Sequence, residues 1–181
     1  MRHAILSLVL ACASVSTLLA QVLRVEEAVV VAKETDPRRF SEPHLAVDPR
    51  NANHFLAAVW TASTSQDENQ ARHCVSFVSD NGGITWSRHD FALADCYDAQ
   101  VAILSDGQAV FVALAALPDL RPDRPDWLVV FHSNDGGITW DEKPTTLGWR
   151  FDHPAVAVDR TSTKRKDWIY ITSHLEWSDG T

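Results

Sequence analysis

One octapeptide occurs twice in the chain, and this repeat constrains the fold more than any other feature of the sequence. The copies are SDNGGITW at 79–86 and SNDGGITW at 133–140, 54 residues later. In both, an apolar run ends in Ser, two glycines allow positive φ at no steric cost, and a β-branched run follows. Each copy therefore predicts the turn of a β-hairpin.

A longer repeat surrounds the two turns. The apolar tetrapeptides at 45–48, 101–104 and 156–159 align at offsets of 56 and then 55 residues. Self-similarity at such a period, carried by β-rich segments, is typical of the blades of a β-propeller rather than of a helical solenoid. The sequence thus predicts an all-β protein built from repeated four-stranded blades.

The repeat also predicts the domain organisation. After a leader at 1–20, residues 21–181 form a partial β-propeller, with blade one at about 40–94, blade two at about 95–148 and an incomplete blade three at about 149–181. The predicted strands are 44–48, 54–62, 73–79, 85–92, 100–104, 109–116, 127–133, 139–146, 155–159 and 167–174, with a further strand upstream at 22–33. Propellers close with roughly four to eight blades, and this chain supplies about two and a half. We expect a piece of a longer ring of about six or seven blades; the alternative is that identical arcs assemble into a ring.

The leader predicts export from the cytoplasm. A basic start is followed by an apolar run that ends near Ala20, which is the pattern of a secretory signal peptide cleaved there. The alternative is a lipoprotein cleaved before Cys12. The run is too short for a stable membrane anchor, and no other stretch is long enough to span a bilayer. We expect a secreted, periplasmic or extracellular protein.

Two cysteines remain once the leader is removed. Cys74 lies in the strand that enters the first octapeptide turn, and Cys96 follows the strand that leaves it. An even pair in an exported chain is a disulfide candidate. The alternative is that both are small buried apolar side chains.

Charge and residue spacing narrow the partner classes. The formal net charge of −8 argues against a nucleic-acid partner, which requires a basic face. His73, His89 and His132 form no recognisable metal-ligand spacing, and we expect neither a metal nor a cofactor. A glycan or glycoconjugate remains as a partner class.

The octapeptides resemble a known family. The pattern Ser-x-Asp-x-Gly-x-x-Trp is the Asp box, and the chain resembles the Asp-box (BNR-repeat) proteins, whose best-known members are sialidases. The resemblance implies a sialidase-like β-propeller in which these positions hold the hairpin loops. The positions are Ser79, Asn81, Gly83, Trp86, Ser133, Asp135, Gly137 and Trp140.

In a propeller, the residues just before each innermost strand converge on one face. Here they form a set of acids, histidines and hydrogen-bonding side chains, and such a set can bind a sugar through its hydroxyl groups, bind a cation, or act as an acid/base pair. The catalytic candidates are Glu42, Asp98, Asp152 and His153, and the further substrate-binding candidates are His44, Tyr97 and Gln100. The alternative is that the acidic residues only cap loop backbones.

The resemblance to sialidases is incomplete. Those enzymes carry a Phe/Tyr-Arg-Ile-Pro motif whose Arg belongs to a triad that clamps the sialic-acid carboxylate. Here FSEP at 40–43 and FDHP at 151–154 keep the aromatic residue and the proline, but Ser41 and Asp152 stand at the Arg position. Arg39 and Arg150, one residue before each aromatic residue, are either substitutes for that Arg or surface ion-pair partners.

The family's Tyr nucleophile and its Glu partner come from later blades, so neither role is assigned here. We expect a secreted sialidase-like glycoside-hydrolase relative that is not catalytically complete alone. The alternatives are a non-catalytic Asp-box propeller that binds carbohydrate or protein outside the cytoplasm, or an assembly factor on the same scaffold.

Overall fold

The computed structural model describes residues 27–33, 38–63, 71–117, 119–120, 127–161 and 163–175. Within these ranges the secondary structure is ten β-strands without a helix. No helix in this described part is long and apolar enough to cross a membrane. The expected leader at 1–20 lies outside the described residues.

The strands form three antiparallel sheets that follow one another along the chain. The first sheet has the order β1-β2-β3-β4, the second β5-β6-β7-β8, and the third pairs β9 with β10. The bounds are β1 Arg38–Asp48, β2 Asn51–Ser63, β3 His73–Ser79, β4 Ser87–Asp90, β5 Cys96–Ile103, β6 Ala109–Ala115, β7 Trp127–Ser133, β8 Thr145–Trp149, β9 Phe151–Val158 and β10 Ile169–Leu175. The prediction of an all-β protein with two four-stranded sheets and a shorter third one is confirmed.

Burial explains why the central strands are apolar throughout. The sequence of β6, AVFVALA, is buried at all seven positions, because one face of the second sheet packs on the first sheet and the other on the third. Strands that are covered on both faces have continuous apolar sequences. By contrast, β4 is SRHD and mostly exposed, as suits a short edge strand that must not pair with another chain.

Aromatic side chains fill the interface between the first and second sheets. Phe91, just after β4, stacks on Phe111 of β6 with ring centroids 3.9 Å apart, and it also contacts Phe131 and Trp140. Leu56 of β2 belongs to the same buried cluster. These contacts hold the two sheets face to face.

Covalent and polar links join the sheets as well. A disulfide connects Cys74 of β3 with Cys96 of β5, and both residues are fully buried. Arg72, close to Cys74 in sequence, binds the Asp95 carboxylate at 2.6 Å. The structure thus contains the disulfide rather than the two separate buried thiols of the alternative interpretation.

Five strand predictions differ from the structure. The predicted strand at 139–146 is wrong, because β8 begins only at Thr145 and Thr139 is bound within the preceding loop. The strand predicted at 22–33 is absent from its described part, 27–33. The innermost strands begin earlier than predicted, at 38, 96 and 151 rather than 44, 100 and 155.

Candidate functional site

Each innermost strand contains the same β-bulge. In β1 the pairing jumps from Ser41 to His44, in β5 from Tyr97 to Gln100, and opposite β9 from Thr172 to His174. In every case, two residues of the innermost strand oppose one residue of its neighbour, which is the defining geometry of a bulge. The two-residue pairs are Glu42-Pro43, Asp98-Ala99 and His153-Pro154.

The first residue of each bulge has a left-handed backbone. The φ angles are 51° at Glu42, 51° at Asp98 and 47° at His153. This conformation is uncommon for residues other than glycine. The bulge bends the strand and turns three polar side chains of equivalent position toward one another, and such re-aiming of side chains is a common use of bulges near binding sites. The prediction that these residues lie in loops before the strands is therefore wrong, because they lie within the strands.

The side chains meet in what we call the bulge cluster, defined as Glu42, Asp98, Asp152 and His153. Asp98 Oδ2 accepts a hydrogen bond from the backbone N–H of His153 at 3.3 Å and lies 3.6 Å from its Nδ1. The carboxyl groups of Glu42 and Asp98 are also within hydrogen-bonding reach of each other. Three sheets thus contribute charged groups to one place.

Asp98 is the buried member of the cluster. It is 8% exposed. Burial, followed by the hydrogen bond and the negative charge of Glu42, raises the pKa of Asp98 to about 6, and the nearby His153 opposes this shift. Asp98 consequently keeps its proton to a higher pH than an ordinary aspartate.

A pocket of about 240 Å³ opens at the cluster. Its lining residues are Glu42, Pro43, His44, Asp98, Ala99, Gln100, His153 and Pro154. Of the predicted site residues, the structure therefore brings Glu42, His44, Asp98, Gln100 and His153 together. Asp152 lies beside them, since one of its carboxylate oxygens is within 4.8 Å of ligand atoms of Asp98 and His153.

The remaining predicted substrate-binding residues do not line this pocket. Tyr97 lies under the guanidinium of Arg72, 3.5 Å from the ring centroid. Arg150 lies over the ring of its neighbour Trp149 at 5.1 Å, and Arg39 is exposed. Among the described residues that line the pocket there is no Arg or Lys.

The spacing of Asp98, Asp152 and His153 is compatible with metal ligation, because each offers one ligand atom within 4.8 Å of the others. Exposed acidic groups often show this spacing without binding an ion, and His153 is 73% exposed in its side chain. The geometry alone therefore does not define a metal centre.

Trp60 of β2 is a member of the site that the sequence did not reveal. Its indole Nε1 donates a hydrogen bond to Glu42 Oε2 at 2.9 Å. The signal that could have found it is the register of β1 against β2, in which Trp60 pairs with Ser41, next to Glu42.

The octapeptide loops lie at the far end of the same sheets. In the second loop, Asp135 Oδ1 accepts hydrogen bonds from Thr139 N at 2.8 Å and from Ser133 Oγ at 2.7 Å. In the first loop, Asn81 Oδ1 replaces that oxygen and accepts from Thr85 N at 2.9 Å. Asparagine thus serves the same structural role as aspartate.

The two tryptophans of the loops have different partners. Trp86 donates to the Gly83 carbonyl of its own loop at 2.9 Å, whereas Trp140 donates to Ser76 Oγ of the first sheet at 3.2 Å. The second loop is therefore docked on the neighbouring sheet.

The sheets and loops define a class, the all-β proteins whose antiparallel sheets carry Asp-box hairpin loops. The family model described as BNR/Asp-box repeat matches residues 77–88 and 131–142, which contain both loops. The chain thus contains two BNR/Asp-box repeats. No curated protein matches it. Such repeats occur in sialidase-like and in other proteins, so the repeat does not by itself assign an activity.

Proposed function

We propose that the three sheets are successive blades of a sialidase-like β-propeller and that the pocket at the bulge cluster binds a glycan outside the cytoplasm. The stacking of the sheets in chain order and the three equivalent bulges support the propeller. The expected leader and the Cys74–Cys96 disulfide support export, because disulfides persist in oxidising compartments.

The charge of the pocket selects the kind of glycan. The observation that carries the proposal is the convergence of carboxyl groups from equivalent bulges on a pocket without an Arg or Lys among its described lining residues. Carboxylates accept hydrogen bonds from sugar hydroxyl groups, whereas they repel the carboxylate of a sialic acid. A neutral sugar is therefore the favoured ligand, and sialic acid is disfavoured.

Binding without hydrolysis follows from the carboxyl geometry. Glycosidases of the two-carboxylate type separate their acid and their nucleophile or base by about 5 Å or more, to leave room for the sugar or for water. The carboxyl groups of Glu42 and Asp98 are within hydrogen-bonding reach of each other, which is closer than that mechanism requires. The raised pKa of Asp98 has burial as its largest cause, followed by the hydrogen bond and negative charge of Glu42.

The test is a glycan array probed with the purified chain. We expect signal on neutral glycans and weak signal on sialylated ones, with Asp98→Asn and Glu42→Gln both weakening binding. Asp141→Asn is the matched control, because this exposed residue is not part of the pocket lining. Preference for sialylated glycans, or turnover of a fluorogenic sialoside that Arg39→Ala abolishes, would overturn the proposal.

A further inference from the structure

His54 of β2 lies at the end of the sheets opposite the bulge cluster and is 6% exposed. Both of its ring nitrogens have partners. Nδ1 lies 2.5 Å from the carboxylate Oδ1 of Asp80, which belongs to the first octapeptide loop. Nε2 lies 2.8 Å from the carbonyl oxygen of Gly136, in the second loop. One imidazole ring therefore connects both loops across two sheets.

The chemistry of the two partners fixes the protonation of the ring. A backbone carbonyl oxygen only accepts hydrogen bonds, and so does an ionised carboxylate. A neutral imidazole has one N–H and satisfies one of these acceptors, whereas the imidazolium has two and satisfies both. The observed geometry is thus complete only for the charged ring.

The surrounding charges favour the same state. The pocket around His54 is lined by charged side chains from the ends of all the elements packed there, namely Asp48, Arg50, Asp80, Asp106 and Asp135. Asp48 is paired with Arg50 at 2.9 Å, and Asp135 is bound to Thr139 within its own loop. The four carboxylates outnumber the single guanidinium.

Burial by itself favours the neutral ring, but the hydrogen bonds to Asp80 and Gly136 and the charges of Asp80 and Asp48 outweigh it, so that the pKa of His54 is raised. Asp80 is 64% exposed in its side chain, and its contact with water gives the proton a path to the buried ring. The ring is thus both held as a cation and able to titrate.

We propose that His54 is a pH-dependent latch, which as an imidazolium fastens the second Asp-box loop to the first sheet and releases one of its two partners when it loses its proton. The latch is separate from the proposed glycan pocket. Because the folded protein holds the proton more tightly than the unfolded chain, the stabilisation is complete below about pH 6.5, the ordinary value for histidine. It is lost as the pH rises through the higher value of the folded state.

The first test is an NMR titration of the His54 ring in the full chain, with His54→Gln used to assign the signal. We expect a midpoint above about pH 6.5 and a shift to lower pH in Asp80→Asn. Because Asp80 is mostly exposed, this variant preserves the fold. A His54 midpoint at or below the ordinary value, or one that Asp80→Asn leaves unchanged, would overturn the proposal.

The second test measures the urea midpoint of unfolding at pH values on both sides of that titration. We expect the midpoint of the wild-type chain to fall as the pH rises and this fall to be lost in His54→Gln. His132→Gln is the matched control, since His132 is exposed on β7, and it should behave as wild type. Parallel pH profiles for wild type and His54→Gln would contradict the latch. If His54→Gln does not fold, Asp80→Asn replaces it and should reduce the fall.

Discussion

The docking of the second loop on the first sheet can be tested at one glycine. Gly137 has a φ of +97°, and a Cβ added to it would lie 2.5 Å from Leu56 Cδ1 and 3.2 Å from Trp140 Cζ2. Gly83, the equivalent residue of the first loop, has a φ of +86°, but a Cβ there would lie 3.4 Å from the nearest atoms, which belong to Phe55. Both glycines have a left-handed backbone, but only Gly137 lies against a side chain of the neighbouring sheet.

The expected magnitudes follow from this difference. In both alanine variants, the left-handed backbone costs about 1–2 kcal/mol. Gly137→Ala adds overpacking of roughly 1–3 kcal/mol, because Leu56 is fully buried and has no solvent to move into. We expect losses of about 1–2 kcal/mol for Gly83→Ala and about 2–5 kcal/mol for Gly137→Ala.

Urea unfolding followed by tryptophan fluorescence measures both losses. A double-mutant cycle with Leu56→Val isolates the contact, since valine lacks the Cδ atoms that the new methyl group would meet. In the cycle, Gly137→Ala should cost less in the Leu56→Val background than in wild type. Equal losses for Gly83→Ala and Gly137→Ala, with strict additivity in the cycle, would refute the docking of the second loop on the first sheet.

Two further predictions concern the disulfide and the bulge cluster. Replacing Cys74 and Cys96 by alanine opens a loop with a sequence separation of 22, and the chain-entropy relation gives a loss of about 3 kcal/mol in the free energy of unfolding. Urea curves that are unchanged by the double substitution or by reductant would show that the bond is absent. The pKa of Asp98 is about 6 in the folded state, against the ordinary 3.8, so the folded state binds more protons than the unfolded chain between these two values. Stability therefore falls as the pH rises through that range, by at most about 3 kcal/mol. Asp98→Asn should remove this fall from unfolding curves recorded across the range, and its persistence in the variant would assign it to another group.

The local features of the fold were readable from the sequence. The octapeptides set the hairpin loops, because Ser, the Asp or Asn, and the glycines make their hydrogen bonds within eight residues. The repeat offsets of 56 and 55 residues also place Glu42, Asp98 and His153 at equivalent positions. A sequence repeat shows which positions are equivalent in successive sheets, although it does not show the backbone conformation at those positions.

Features that depend on contacts between distant residues were not readable. The contact between His54 and Gly136 spans 82 residues, and no local pattern distinguishes such a histidine from an exposed one. The bulges change register by a single residue, which alternation of apolar residues does not resolve when Pro43 or Pro154 interrupts it. The strand predicted at 139–146 is wrong because β-branched residues also occur in this loop. There the backbone N–H of Thr139 donates a hydrogen bond to Asp135 rather than to a neighbouring strand.

The two loops show why nearly identical octapeptides make different contacts. Phe55 pairs with Ser79 in the first sheet and lies next to Gly83, whereas Ala109 pairs with Ser133 at the equivalent position of the second sheet. Alanine leaves the space that phenylalanine fills, and Leu56 of the neighbouring sheet lies against Gly137 instead. The side chain opposite the Ser of each loop therefore decides whether the loop packs on its own strand or joins two sheets. On this reasoning, Ala109→Phe should compete with Leu56 for the space beside Gly137 and weaken the sheet contact, with its effect reduced when Leu56 is shortened to valine.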